Sequence, residues 1–146
     1  MFSSESQNEL TPDVVLEAVQ NMYYWSVDLD PCSNLGTPNV TAKEHFTIEN
    51  DGLAQEWEGN VFVNPPYGRG ILEPWIDKAL EEYQSGRAEQ IILLLPSRTE
   101  TKWMQKLNAY PRCYIYGRLK FKGHKSGAPF PSCIIYMGRM PGRFTA

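Results

Sequence analysis

Residues 61–96, VFVNPPYGRGILEPWIDKALEEYQSGRAEQIILLLP, decide the fold because they encode a strand, a loop, a helix and a second strand. Residues 61–63 predict a buried strand, which Asn-Pro-Pro ends abruptly because proline cannot continue a hydrogen-bonded ladder. Residues 73–84 have apolar side chains at helical spacing, and residues 90–95 are apolar on both faces. Together these features are typical of a parallel sheet covered by helices.

Shorter patterns extend this unit in both directions. Upstream, we predict a helix over 14–22 with Thr11 as its N-cap, strands over 24–29 and 45–48, and a helical turn over 53–57. Downstream, we predict a helix over 99–107 and strands over 113–116, 119–121 and 133–137. The order predicts an α/β fold whose sheet has helices on both faces and an antiparallel C-terminal strand. We expect one domain over 11–138, between a flexible N-terminus (1–10) and a C-terminal tail (139–146).

The composition is that of a folded protein without a membrane segment. Of the 146 residues, 42% are hydrophobic and 21% are charged, which excludes a disordered chain. The longest aliphatic run, 91–95, is far shorter than the about 20 apolar residues of a membrane helix. The first ten residues lack the basic and apolar regions of a signal peptide. Three widely spaced cysteines indicate a reducing compartment and no cysteine-based metal site, so we expect a cytoplasmic protein.

Basic residues are concentrated in the last third of the chain. Residues 1–97 contain 4 basic and 16 acidic residues, whereas residues 98–146 contain 10 basic residues and one acid, Glu100. This asymmetry indicates nucleic-acid contact by the basic part, and a basic surface that only improves solvation is the alternative. The candidates for phosphate contacts are the basic residues near predicted strand ends: Arg98, Lys102, Arg118, Lys120, Lys122 and Lys125.

Polar segments follow three of the predicted strands, at 28–33 (DLDPCS), 64–68 (NPPYG) and 96–99 (PSRT). In open parallel sheets the ligand lies beyond the carboxyl ends of the strands, so we expect these segments to meet at one site. Asp28 and Asp30 alternate along the first strand and therefore lie on the same side of it, so one of the two can be structural. We interpret the Cys32 thiol as a buried packing group.

The Asn64-Pro65-Pro66-Tyr67 loop suits methylation of an exocyclic amine, although a plain turn is the simpler interpretation. Two prolines make the backbone rigid and remove two N–H donors. Asn64 Oδ1 and the Pro65 carbonyl can then accept the two N–H bonds of the amine, while Tyr67 stacks on its base. A base inside a duplex cannot reach such a loop unless it is flipped out.

The chain resembles the phage-type, Dam-like DNA N6-adenine methyltransferases. The similarity covers about four-fifths of the sequence, and its segments occur in the order usual for the family. Those segments are Thr11-Pro12, DLDPCS at 28–33, VFVNPPYG at 61–68, LLLPSRTETKW at 93–103, GRLKF at 117–121 and APFPS at 128–132. NPPY is the most specific of them.

The resemblance implies a single-domain, class I, Rossmann-like methyltransferase that transfers a methyl group from S-adenosylmethionine to N6 of adenine in DNA, leaving S-adenosylhomocysteine. It implies a cytoplasmic location in a bacterium or a phage-infected host cell, no metal, and DNA as the partner, and it leaves a homodimer open. By the same resemblance, the catalytic residues are Asn64, Pro65, Pro66 and Tyr67. The cofactor-binding residues would be Thr11, Pro12, Asp28, Asp30, Pro31, Cys32, Ser33 and Asp51.

Two other functional classes stay open at this point. NPPY also occurs in methyltransferases that act on other amines or amides, so N4 of cytosine, RNA or a protein amide are alternative substrates. A nucleic-acid-binding module with weak catalytic activity is the other alternative, because the sequence lacks the glycine-rich turn that usually follows the first strand in methyltransferases, with only Gly36 nearby. The intact NPPY favours an enzyme.

Overall fold

A computed structural model describes residues 11–24, 26–33, 40–119 and 130–139. These residues form three helices, six strands and one 3-10 turn, Gly52–Ala54. The helices are α1 (Asp13–Met22), α2 (Leu72–Gln84) and α3 (Lys102–Gln105). The strands are β1 (Leu29–Asp30), β2 (Glu44–His45), β3 (Gly59–Val63), β4 (Ala88–Pro96), β5 (Arg112–Tyr114) and β6 (Ser132–Met137).

The strands form one sheet in the order β2-β1-β3-β4-β6-β5. The first four strands of this order are parallel, β6 is antiparallel to β4, and β5 is antiparallel to β6. The predicted mixed α/β class is therefore confirmed. The carboxyl ends of β1, β3 and β4 lie at the same edge as the start of β6, because Ser132 pairs with Pro96. We call this edge the carboxyl edge and the opposite one the amino edge.

Alternating side chains of the central strands form two apolar cores, one on each face of the sheet. In β3, Val61 and Val63 lie in the core that α2 and the Met104 side chain of α3 cover, whereas Phe62 lies in the core that α1 covers. β4 and β6 alternate between the same two cores. Polar residues that follow the strands are thus placed on a defined face: Asp30 and Asn64 both fall on the face covered by α1.

Several predicted elements differ in length from the observed ones. α1 has Pro12 at its N-cap position, without a side-chain capping bond, so the prediction of Thr11 as the cap is wrong. The first strand is only Leu29–Asp30, and at Tyr24, where the predicted strand begins, the chain is still turning with a φ of +52°. α3 begins after Thr101, whose hydroxyl accepts from the Met104 N–H, and is shorter than the predicted 99–107.

Other predictions fall wholly or partly beyond the described residues. Residues 1–10 and 140–146, which include the predicted N-terminal segment and most of the predicted tail, lie outside them. Leu119 belongs to no strand, and the other two residues of the predicted strand 119–121 are outside as well. Among the described residues, no helix has the length and apolar character needed to cross a membrane.

Candidate active site

Three buried side-chain oxygens in the described residues have no hydrogen-bond partner, and all three lie at the carboxyl edge. They are Asp30 Oδ2, Ser33 Oγ and Ser132 Oγ. Asp30 ends β1, Ser33 lies in the loop that follows it, and Ser132 begins β6. Leaving a buried polar group unsatisfied costs about 1–3 kcal/mol, so native proteins rarely do it without a reason. Three such atoms at one edge indicate a site for a ligand with hydrogen-bond donors.

Asp30 is the charged member of this group, and its side chain is fully buried. Its Oδ1 atom accepts a hydrogen bond from the Cys32 N–H at 3.2 Å. Burial raises the pKa of Asp30 from 3.8 to about 6, against the lowering effects of the Cys32 N–H, of His45 and of the neighbouring Ser33 side chain. At neutral pH the group is thus a poorly solvated carboxylate that a donor from a ligand would stabilise.

The loop that follows Asp30 is held in place by backbone contacts with two other segments. Phe46 N donates to the Asp30 carbonyl at 2.9 Å, and Ser33 N donates to the Phe46 carbonyl at 2.9 Å. On its other side, Gly52 is so close that an added Cβ would lie 2.0 Å from the Pro31 carbonyl oxygen. Only glycine fits there, and this close approach brings Asp51 beside the loop.

Asp51 is exposed and lies at a φ of +56° just before the 3-10 turn. Its Oδ1 atom accepts from the Leu53 N–H at 3.2 Å. The structure therefore places this predicted cofactor residue next to the segment 30–33, with its carboxylate at the surface.

Asn64 follows β3 directly and is almost fully buried. Its Nδ2 atom donates to Thr11 Oγ1 at 2.9 Å, so the two predicted site segments at 11–12 and 64–67 are in contact. Pro12 and Pro65 are also buried, and Pro66 is half-buried. Because neither proline has an N–H, the chain leaves the ladder at Asn64 and turns toward α2.

Tyr67 is half-buried, and both its hydroxyl and its ring are held by contacts. Its hydroxyl donates to the Leu94 carbonyl at 3.2 Å, and its ring packs edge-on against Phe130 with centroids 5.3 Å apart. Leu94 belongs to β4 and Phe130 lies two residues before β6. Tyr67 is therefore a rigid aromatic wall over the strands next to Asn64.

The structure does not bring Asp28 to the carboxyl edge. Its N–H donates to the Asn60 carbonyl at 2.8 Å, so Asp28 lies level with Asn60, four residues or about 13 Å along an extended strand before Asn64. Its carboxylate accepts from Asn60 N at 2.8 Å and pairs with Lys43 at 3.0 Å. Of the two aspartates, only Asp30 thus lies at the carboxyl edge, while Asp28 is bound to Asn60 and Lys43.

The Cys32 side chain lies in the core beside α2, which agrees with its interpretation as a packing residue. Burial raises the pKa of its thiol well above the usual range, with a further contribution from Asp30. Cys32 thus contributes to the site through its backbone N–H, which binds Asp30.

The sequence model of the DNA N-6-adenine-methyltransferase (Dam) family matches residues 3–134, which are 132 of the 146 residues. The chain belongs to this family. A search of curated proteins gave no match. The suspected family is therefore confirmed, and membership of the Dam family implies methyl transfer to adenine in DNA. The matched range contains every part of the carboxyl edge described above.

Because DNA is the substrate of a Dam-family protein, the basic residues at this edge are candidates for phosphate contacts. Arg98 lies two residues beyond β4 and is exposed, with its Nε atom 2.8 Å from Glu100. Arg118 is exposed and follows β5, whose end is also at the carboxyl edge, and exposed Lys102 begins α3. The other three predicted contacts, Lys120, Lys122 and Lys125, lie outside the described residues.

Sequence reasoning missed two residues of this site. Ser132 belongs to the family-like segment APFPS, but its type alone gave no sign that its hydroxyl would be buried without a partner. Gly52 is one of 11 glycines, and only the fold reveals its approach to Pro31. The one available signal was the position of Ser132 directly before the predicted strand 133–137.

Proposed function

We propose that the chain is a class I, Rossmann-like methyltransferase that uses S-adenosylmethionine to methylate N6 of adenine in DNA. The observation that carries the proposal is the position of Asn64: its amide lies buried at the same sheet edge and on the same face as the unsatisfied Asp30 carboxylate. A polar ligand site and a group that can bind an amine are thus adjacent in a chain of the Dam family.

The residues present fit a cofactor that carries several hydrogen-bond donors. Asp30 Oδ2 and Ser33 Oγ are buried acceptors without partners, and S-adenosylmethionine offers ribose hydroxyl groups and an ammonium group. The segment 30–33 would hold it, with Asp51 on the adenosine side. When bound, the cofactor supplies a methyl group on a positively charged sulfur, which needs no further activation.

The loop's task is to orient the target amine. Asn64 Oδ1 and the Pro65 carbonyl accept its two N–H bonds, which turns the nitrogen lone pair away from conjugation with the ring and toward the methyl carbon. The bound cofactor would supply the methyl group that this lone pair takes up, and the extra proton of the amine would then pass to water. The rate enhancement comes from orientation and desolvation, so no strong general base is required.

Tyr67 would capture the adenine after it leaves the duplex. Stacking of a base on an aromatic ring is worth about 1–3 kcal/mol and does not depend on base identity. The bond to Leu94 and the contact with Phe130 hold the ring still, so little side-chain entropy is lost when the base arrives. Arg98, Lys102 and Arg118 would bind phosphates of the flanking strand.

The test is to incubate the full chain with methyl-labelled S-adenosylmethionine and, separately, DNA, RNA and protein. Nucleosides from the treated DNA are then separated and identified by mass spectrometry. We expect N6-methyladenine in DNA, and Asn64→Ala should lower kcat roughly a hundredfold, as loss of one oriented hydrogen bond does. Asn21→Ala, at an exposed position of α1, is the matched control and should keep full activity. N4-methylcytosine, label in RNA or protein, or an active Asn64→Ala variant would refute the proposal.

A further inference from the structure

Thr11 makes a side-chain contact that a residue preceding a helix does not need. Its hydroxyl oxygen accepts a hydrogen bond from Asn64 Nδ2 at 2.9 Å across 53 residues of sequence. Both side chains are buried, Thr11 fully and Asn64 to within 1%. A threonine in this place usually caps the helix. Here Pro12 occupies the cap position, and its carbonyl accepts the first helical bonds, from Val15 N and Leu16 N.

An asparagine that binds an amine must present the correct end of its amide. The Oδ1 end accepts hydrogen bonds and the Nδ2 end donates them, whereas the target amine has two N–H donors. If the amide turned by 180°, its NH2 group would face the N–H bonds of the amine, and the contact would be repulsive. The rotation about χ2 of asparagine is otherwise permissive, so an external contact has to select one orientation.

Thr11 supplies such a contact. A hydroxyl can donate as well as accept; here its oxygen accepts from Nδ2, so the NH2 end of the amide is held toward α1 as long as the hydroxyl proton is donated to another acceptor. The Oδ1 end is then directed away from α1. We propose that Thr11 is a positioning residue that holds the Asn64 amide in the orientation in which Oδ1 accepts from the target amine. The inference rests on the proposed function of Asn64.

This role differs from that of a cofactor contact, and the difference can be measured. A residue that only binds the cofactor changes its dissociation constant, and saturating cofactor restores the rate. A residue that orients Asn64 lowers kcat at saturating cofactor and DNA and leaves both affinities unchanged. Replacement by valine removes the hydroxyl with little change in volume, whereas replacement by serine keeps it.

The experiment compares the full chain with Thr11→Val, Thr11→Ser and the exposed control Thr41→Val. It measures kcat and KM for DNA at saturating cofactor, the dissociation constant of S-adenosylmethionine by calorimetry, and the side-chain NH2 signals of Asn64 in the 1H–15N spectrum, assigned by their loss in Asn64→Asp. We expect Thr11→Val to lower kcat about tenfold, the effect of one net hydrogen bond. Both affinities should stay within about twofold, and the NH2 signals should shift.

Thr11→Ser should retain most of the rate and the wild-type NH2 signals, and Thr41→Val should match wild type in every measurement. Wild-type kcat in Thr11→Val would overturn the inference. So would a loss in Thr11→Ser as large as that in Thr11→Val, or a change confined to the cofactor dissociation constant. If the wild-type chain transfers no methyl group to DNA, the proposed function fails. Unshifted NH2 signals in Thr11→Val would refute the contact itself, whether or not the chain is active.

Discussion

Replacing Asp30 by asparagine should stabilise the ligand-free protein. Burial raises the pKa of Asp30 from 3.8 to about 6, so folding favours the neutral acid. The group's favourable contribution is complete below pH 3.8 and is lost as the pH rises through about 6. A difference of about 2 pKa units at about 1.4 kcal/mol each makes the carboxylate cost about 3 kcal/mol at pH 8. The free energy of unfolding of Asp30→Asn should therefore exceed that of wild type by up to about 3 kcal/mol.

The same substitution should weaken cofactor binding. If a hydrogen-bond donor group on S-adenosylmethionine binds the carboxylate, the affinity of the wild-type protein for the cofactor rises with pH through about 6. The reason is that only the ionised carboxylate is a full acceptor. A hydrogen bond to a charged group is worth about 1.5–3 kcal/mol, so Asp30→Asn should bind at least about tenfold more weakly. Its affinity should also lose the pH dependence. Stability and binding then change in opposite directions, which a general loss of structure cannot produce.

Urea denaturation from pH 5 to pH 8 and calorimetric titration with S-adenosylmethionine measure the two effects. Asp28→Asn is the matched control, because Asp28 is two residues away and pairs with an exposed lysine. It should change stability by less than about 1 kcal/mol, as surface ion pairs do, and leave cofactor affinity within twofold. An Asp30→Asn variant that is less stable than wild type at pH 8, or that binds the cofactor as tightly, contradicts the assignment of Asp30 to the site.

Other residues allow independent tests. Tyr67→Ala should raise KM for DNA by about tenfold to a hundredfold, the value of one stacked base, while Tyr67→Phe should stay close to wild type; equal effects of the two would rule out stacking. Gly52→Ala should weaken cofactor binding, because its Cβ would lie 2.0 Å from a carbonyl oxygen of the cofactor loop, and an unchanged dissociation constant would show that this loop is not part of the site. Replacing Lys120, Lys122 and Lys125 by glutamine should lower the slope of log affinity for DNA against log salt by up to about 3, and an unchanged slope would assign these lysines to solvation.

The central part of the fold could be predicted from the sequence almost to the residue. The helix predicted over 73–84 is observed at Leu72–Gln84, and the strand predicted over 61–63 is the buried end of β3. The helix has an apolar stripe that packs on the sheet, and the central strands β3 and β4 are covered on both faces. The short elements at the sheet's margin were predicted less well, because β1 and β2 pair over only two residues and their limits depend on partners distant in sequence.

The residues of the site could be predicted by type but not by arrangement. Alternation predicted that Asp28 and Asp30 share a face, yet only the pairing of Leu29 with Val61 shows that Asp28 lies far from Asn64. The contact between Thr11 and Asn64 joins segments 53 residues apart, and no local pattern reports such a contact. Sequence patterns indicate which face of the sheet a residue occupies, while strand register determines its position along the strand direction, between the amino and carboxyl edges.

The two edges of the sheet differ in a way that locates the site without reference to any motif. At the amino edge the polar side chains satisfy one another: Asp28 accepts from Asn60 N, Gln90 donates to Asn60 Oδ1 at 2.9 Å, and the Tyr136 hydroxyl donates to Gln90. At the carboxyl edge, three buried oxygens of the described residues have no partner. The same strands and the same packing support both edges, so the difference is not a general defect of the fold. Unsatisfied groups confined to one edge are what a protein keeps when a ligand, rather than the chain itself, completes the hydrogen bonding there.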